Sequence, residues 1–242
     1  SGSFRPHSVR IQFRCPLRVR LNMGGGRWCG WCSHPGERRI RRVCSLLFVL
    51  SALGYTFSTG PFRAPDEPSH VFRAYAISEG HFVAERRRSD LLGSSLPRNI
   101  PKLATILAGY PKDPPIQVRQ GQMEVARQLP LKRGARTFVH FPGAAMHSPL
   151  AYLPAALAIL CGRVLGLSPL LIFYLARCAN AVVVAAALGW GLSRIWQRAP
   201  FLASVALFPM PLSQVGCVTA DPVTLGVPFS WLAGTLYCSL AP

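Results

Sequence analysis

Long stretches of this chain carry no charge, and that constrains its fold more than any other feature. Val43–Phe62 has no charged residue over 20 positions, and Pro200–Ala220 and Pro222–Pro242 have none over 21 each. About 20 consecutive apolar residues in a helix cross the hydrocarbon core of a bilayer. Within that core a helix satisfies its own backbone hydrogen-bonding groups, where water is absent. Cys178–Ser193 is a further uncharged run, and Ser168–Ser193 reads as a membrane helix despite Arg177. Half of all residues are apolar and only 15 % are charged, and the charges fall in blocks between the runs. These features predict an all-α fold: a polytopic transmembrane helical bundle, multi-pass in the plasma membrane.

The net charge of +18 raises the question of nucleic acid. Its distribution argues against such a partner. Ser1–Arg42 holds ten arginines against the single acid Glu37, directly before the first apolar run. A basic segment beside a first membrane helix marks the cytoplasmic side and attracts anionic lipid. The N-terminus is therefore expected in the cytoplasm, with residues 1–42 as a basic tail and the lipid bilayer as the partner. The chain opens without methionine, and the first one is Met23. Residues 1–22 lack helical or strand period and are expected to lie upstream of the native start. The other end stops inside an apolar run, so 43–242 reads as the N-terminal part of a larger membrane domain.

The eight cysteines form no disulfide framework. Cys161, Cys178, Cys217 and Cys238 lie in apolar runs, where cysteine behaves as a small core residue. Cys29 and Cys32 form a CxxC without the βαβ context of a redox site.

Helix one is expected over Val43–Gly60, running outward. A long external loop follows, about 61–147. Its first part predicts a short amphipathic helix at the membrane surface. Pro68 suits the first helical position with Asp66 or Glu67 as cap, and Gly80 suits the stop. The remainder is rich in proline and is expected to be irregular, with one or two short helices. The apolar stretch 147–167 is short, contains Pro149 and Pro154, and ends near Arg163. It either spans or lies as re-entrant or interfacial half-helices. If it does not cross, Ser168–Ser193 runs inward, Arg194 and Arg198 stay in the cytoplasm, and Pro200–Ala220 delivers Asp221 to the face that carries Asp66. The charge bias favours that arrangement.

The chain has only nine acids, and two of them, Asp66 and Glu67, are adjacent at the mouth of the first membrane helix. Asp221, like Glu67, directly precedes a proline at an expected helix start, where the helix dipole favours an ionised carboxylate. Such carboxylates can accept a proton or bind a divalent cation. Asp66, Glu67 and Asp221 are therefore the candidate catalytic residues, and Asp66 and Asp221 would carry any metal; a cofactor, if any, would be a divalent cation. The bland reading is helix capping. His70 lies one turn after Asp66. Arg73 can hold a lipid phosphate through its guanidinium fork. Arg177 is a charge within an apolar run, which usually faces a partner or cavity. Gln214 adds polarity just before Asp221, where Pro209 and Pro211 interrupt the helix. His70, Arg73, Arg177 and Gln214 are the candidate substrate-binding residues. His81, His140 and His147 read as interfacial anchors.

The run Ala64–His81 (APDEPSHVFRAYAISEGH) resembles the start of a bacterial membrane-protein family catalogued as domain of unknown function 2142. So do His147–Pro154 (HSPLAYLP), Phe173–Asn180 (FYLARCAN) and Phe208–Asp221 (FPMPLSQVGCVTAD), in order. The resemblance covers about Val43 to Pro242 and corresponds to the N-terminal half of that family. The layout is similar to that of membrane glycosyltransferases that use polyprenyl-phosphate sugars. It implies sugar transfer from a polyprenyl-phosphate donor to a cell-envelope acceptor outside the cytoplasm. Asp66 or Glu67 would be the general base, Asp221 would hold a metal or the acceptor, and arginines would hold the donor phosphate. Two other readings remain: a transporter or flippase for a lipid-linked envelope precursor, and a non-catalytic membrane scaffold.

Overall fold

The computed structural model describes residues 35–87, 91–108, 120–132, 134–194 and 209–221, together with 223, 224, 226 and 235. The tail before residue 35 lies outside the described residues, as do most of the apolar positions beyond Ala220 and the first part of the run from Pro200. All described elements belong to the compact unit His34–Pro242.

The first apolar run forms α1 (Pro35–Ser58), a 24-residue helix whose apolar part is Ser45–Ser58. The later run forms α7 (Pro169–Arg194), of 26 residues. Among the described helices α7 alone is long and apolar enough to cross a membrane, over Pro169–Gly191. The two helices pack antiparallel. A Cβ on Gly189 would lie 3.2 Å from the Ser45 hydroxyl, and twelve positions earlier Arg177 reaches the carbonyl of Thr56 at 3.0 Å. α8 (Pro209–Val215) lies against both helices. Gly216, just past its end, has Tyr55 and Thr56 so close that a Cβ would stand 3.0 Å from the Thr56 nitrogen.

Between α1 and α7 the chain builds a mixed layer. α2 (Glu67–Ser78) starts with Pro68 in its first turn. It ends at Gly80 (φ 89°), as expected. There the amide of Gly80 donates to Ile77 O at 2.9 Å, and that of His81 to Ala76 O at 3.0 Å. Glycine fits because the left-handed turn that closes a helix this way carries a steric cost for any residue with a Cβ. The expected amphipathic surface helix is corrected. Ten of the twelve residues of α2 are buried, Phe72, Ala74 and Tyr75 among them, so α2 is a core helix. It is enclosed by the strand Leu92–Pro97, α5 (Pro142–Ala145), the 3₁₀ turn Pro149–Tyr152 and α6 (Leu153–Val164).

The expectation of an all-α fold with an irregular loop is also corrected. Three strands, β1 (Glu85–Arg86), β2 (Leu92–Pro97) and β3 (Arg136–His140), form an antiparallel sheet in the order β1-β2-β3. Gly93 pairs with His140 and Pro97 with Arg136. A Cβ on Gly93 would stand 1.9 Å from the Val139 carbonyl oxygen, so this register admits only glycine there. Two short helices, α3 (Asn99–Ala108) and α4 (Gln120–Arg127), complete the layer, as the sequence led us to expect.

α6 runs parallel to α2. Tyr152 at its start meets His70 near the start of α2, and Arg163 near its end donates to Ser78 O at 2.8 Å and pairs with Glu79 at 3.2 Å. It then turns at Gly166 (φ 68°) into α7, against which Gly162 packs so closely that a Cβ would meet Ile172 at 2.8 Å. At 12 residues, about 18 Å, α6 is too short to cross a bilayer core of roughly 30 Å.

The apolar core is divided. One cluster, centred on α2, α3, α6 and the sheet, includes Phe72, Leu103, Tyr152 and Phe173. The other, between α1, α7 and α8, includes Phe48, Ala52, Val184 and Leu212. Arg177 sits on α7 between Ala176 of the first cluster and Ala181 of the second.

Candidate functional site

Arg177 and Glu67 are both fully buried. The guanidinium donates from Nε to Glu67 Oε1 at 2.8 Å and from Nη2 to Oε2 at 2.7 Å. Its other N–H groups go to the carbonyls of Thr56 (3.0 Å), Thr59 (2.7 Å) and Gly60 (3.1 Å). Those carbonyls belong to the last turn of α1 and the residues just after it, where helical partners run out. The Val218 amide adds a hydrogen bond to Glu67 Oε1 at 3.0 Å, and the Phe173 ring lies 4.6 Å from the guanidinium. This pair thus ties together α1, the entry to α2, α7 and the segment after α8. Both residues were expected at the reacting centre. The structure pairs them in the interior, with all five guanidinium N–H groups engaged.

Asp66 has a different fate from its neighbour. It occupies the N-cap position of α2, but in the left-handed region (φ 57°, ψ 4°), and its side chain makes no capping hydrogen bond. A non-glycine residue rarely adopts that backbone, which costs of order 1 kcal/mol. Phe62 shares the conformation (φ 57°), and its buried ring packs against Phe173 at 4.5 Å. Two left-handed residues bracket the turn that leads from α1 into α2. Asp66 is exposed at its end.

His70, one turn into α2, is buried and hydrogen-bonded through Nδ1 to the Tyr152 hydroxyl at 2.7 Å. Its ring lies 5.6 Å from that of His147 and 5.8 Å from that of Tyr152. Burial lowers the His70 pKa, and His147 lowers it further. Asp221 and then Asp66 oppose this, each raising the affinity for a proton. Asp66 lies one turn before His70, its carbonyl accepting from the His70 amide at 3.2 Å, and the Val218–Glu67 bond brings the segment that leads to Asp221 to the start of α2. Asp221 also acts on Tyr152, whose pKa is raised mainly by burial. Asp221 is exposed and opens a helical turn in which the Thr224 amide bonds Ala220 O at 3.2 Å.

Residues 66, 70, 147, 152 and 221 thus converge. His147, expected as an isolated interfacial anchor, belongs to this group. Tyr152 was not singled out in the sequence. Its only signal was an aromatic residue with a polar tip inside the proline-flanked run Pro149–Pro154, and such tips find partners when buried. Arg73 lies one turn beyond His70 and is 2 % exposed. Its Nη2 donates to Phe82 O at 2.7 Å, while Nε and Nη1 have no partner among the described residues. Gln214 belongs to α8, which packs on α1 and α7. Among the described residues no group of three His, Cys, Asp or Glu side chains is arranged to hold a metal ion. Asp66 and Asp221 with His70 offer a proton-accepting and hydrogen-bonding surface.

No curated protein and no solved structure matches the chain. A family model described as a predicted membrane protein, domain of unknown function 2142, matches residues 47–240. With most of its length covered in that way, the chain belongs to the domain of unknown function 2142 family.

Proposed function

We propose that this protein transfers a sugar from a polyprenyl-phosphate donor to a cell-envelope acceptor on the extracytoplasmic face of the membrane. The observation that carries the reading is the meeting of the segment before Asp221 with the start of α2, where Asp66 and His70 lie, through the Val218–Glu67 hydrogen bond between residues 151 apart in sequence. In this account the uncharged run Val43–Phe62, which contains the shorter apolar part Ser45–Ser58 of α1, carries the chain outward and α7 crosses inward, consistent with the antiparallel packing of the two helices. The basic residues before Val43 stay in the cytoplasm. The site then faces away from the cytoplasm.

Asp66 is the general base. Its carboxylate is exposed and not engaged in capping. It takes the proton of the acceptor hydroxyl as that oxygen attacks the anomeric carbon. The bond from that carbon to the phosphate oxygen breaks, and its electron pair leaves with the polyprenyl phosphate. The displacement inverts the anomeric centre. Asp221 orients the acceptor hydroxyl by accepting a hydrogen bond from a neighbouring one. His70, kept neutral by burial, presents an uncharged imidazole beside them. The unpaired donors of Arg73 suit a phosphate group. Glu67 and Arg177 hold the scaffold and take no part in bond making.

The test is transfer of radiolabelled sugar from a panel of polyprenyl-phosphate sugars to envelope material, in membranes containing the full-length protein. Asp66→Asn is expected to abolish transfer while the protein still inserts. Equal transfer by the variant and the unaltered protein refutes the assignment. Labelled donor that crosses the bilayer without transfer, in a manner dependent on Asp66, replaces it with the transporter reading.

A further inference from the structure

α6 is built inside out for a helix exposed to water. Its only charged residue, Arg163, turns inward to Ser78 and Glu79. Its outward stripe consists of Leu157, Leu160, Cys161 and Val164, all exposed and none of them a charged residue type. The stripe is continued by Leu165 at the turn and Leu171 on α7; Val164 is 75 % and Leu165 71 % exposed. A soluble helix of this length presents lysine or glutamate outward. A contiguous apolar surface of this kind marks a partner that is itself apolar.

We infer that the outward face of α6 is immersed in the hydrocarbon of one leaflet, the leaflet on the Asp66 side, without α6 crossing the membrane. Three observations choose lipid over a protein partner. The stripe continues through Leu165 and Leu171 onto α7, which is long and apolar enough to cross a membrane. The exposed positions of α6 from Leu157 to Val164 carry no charged side chain, whereas a protein interface is bordered by a polar rim. α6 is too short to span, and its start and end are both tied to α2, by the Tyr152–His70 and Arg163–Ser78 bonds. The helix thereby seats the His70 cluster beside the bilayer, where a lipid-borne group can reach it. The inference stands on the membrane nature of the family and not on sugar transfer, so the two can fail separately.

The test uses the full chain with every cysteine but Cys161 replaced by serine or alanine. The protein is labelled at Cys161 with an NBD fluorophore and reconstituted in phosphatidylcholine–phosphatidylglycerol vesicles. Quenching by doxyl groups on lipid chains is expected to exceed quenching by aqueous iodide several-fold, and to come from the leaflet on the Asp66 side. Dominant iodide quenching, protection from both quenchers, or quenching mainly from the opposite leaflet each overturns the inference. Should the cysteine replacements prevent folding, benzoylphenylalanine at position 157 in the otherwise native chain gives the same answer. Lipid adducts support the inference and adducts to protein overturn it.

Discussion

Neutralising Glu67 tests the organisation of the fold more sharply than any other single change. Glu67→Gln keeps the side-chain shape and leaves an oxygen to accept from the Val218 amide, but it strips the negative charge from beside Arg177. Arg177 has no exposure to solvent, so the cation is left stranded. Breaking a buried ion pair by removing one partner typically costs about 3–5 kcal/mol. For a domain of this size that is a fall in melting temperature of about 6–20 °C. Arg177→Met alone removes the donor to the Thr56, Thr59 and Gly60 carbonyls, at about 1 kcal/mol each, and strands the carboxylate as well. In the double variant neither charge is stranded. Its loss is expected to fall short of the sum of the single losses by about 1–3 kcal/mol. Thermal unfolding of the purified full-length protein in detergent, followed by circular dichroism, reads all three values. A Glu67→Gln protein that melts with the wild type, or a double variant whose loss equals the sum, refutes the tie described here.

Four further outcomes are expected. Tyr152→Phe leaves a buried His70 nitrogen without its 2.7 Å partner and should cost about 1–3 kcal/mol in the same melt. Because the His70 pKa is lowered in the fold, the unfolded chain binds the proton more readily. Stability should therefore hold above the ordinary value of 6.5, fall as pH drops from 6.5 to the lowered value, and level off below it; melts from pH 8 to 5 should show this slope, and His70→Gln should flatten it. Gly93→Ala places a methyl group against the Val139 carbonyl and should cost at least about 1–3 kcal/mol, whereas Gly121→Ala, with open space around it in α4, should be neutral or stabilising by up to about 1 kcal/mol. Arg73→Met should raise the KM for a polyprenyl-phosphate donor more than it lowers kcat, as measured by transfer at varied donor concentration, with Arg73→Lys intermediate.

The parts of this fold that were legible in the sequence are those governed by local rules. The uncharged run after Arg42 and the apolar run that contains Arg177 mark α1 and α7 because hydrophobic length is a property of contiguous residues. Gly80 and Pro68 bound α2 through backbone conformations that those two residues favour. The pairing of Leu92–Pro97 with Arg136–His140 was not legible, since it joins strands some 40 residues apart and neither strand alternates cleanly. The burial of α2 was hidden for a related reason. Its His70 and Arg73 read as one side of a surface helix until Tyr152 and Phe82 supply their partners. Of the site, Asp66, His70 and Asp221 could be named because unusual acids and prolines flag them. Glu67 and Arg177 drew the same suspicion, but their partnership lies 110 residues apart in sequence and only the fold discloses it.

The central claim is that Asp66 and Asp221 share one extracytoplasmic face. Single cysteines at Asp66→Cys and Asp221→Cys, in an otherwise cysteine-free full-length protein, can be probed in intact cells with a membrane-impermeant maleimide. The account predicts that both positions label from outside. Labelling at position 66 with position 221 reacting only after permeabilisation would put the two acids on opposite sides of the membrane and contradict it.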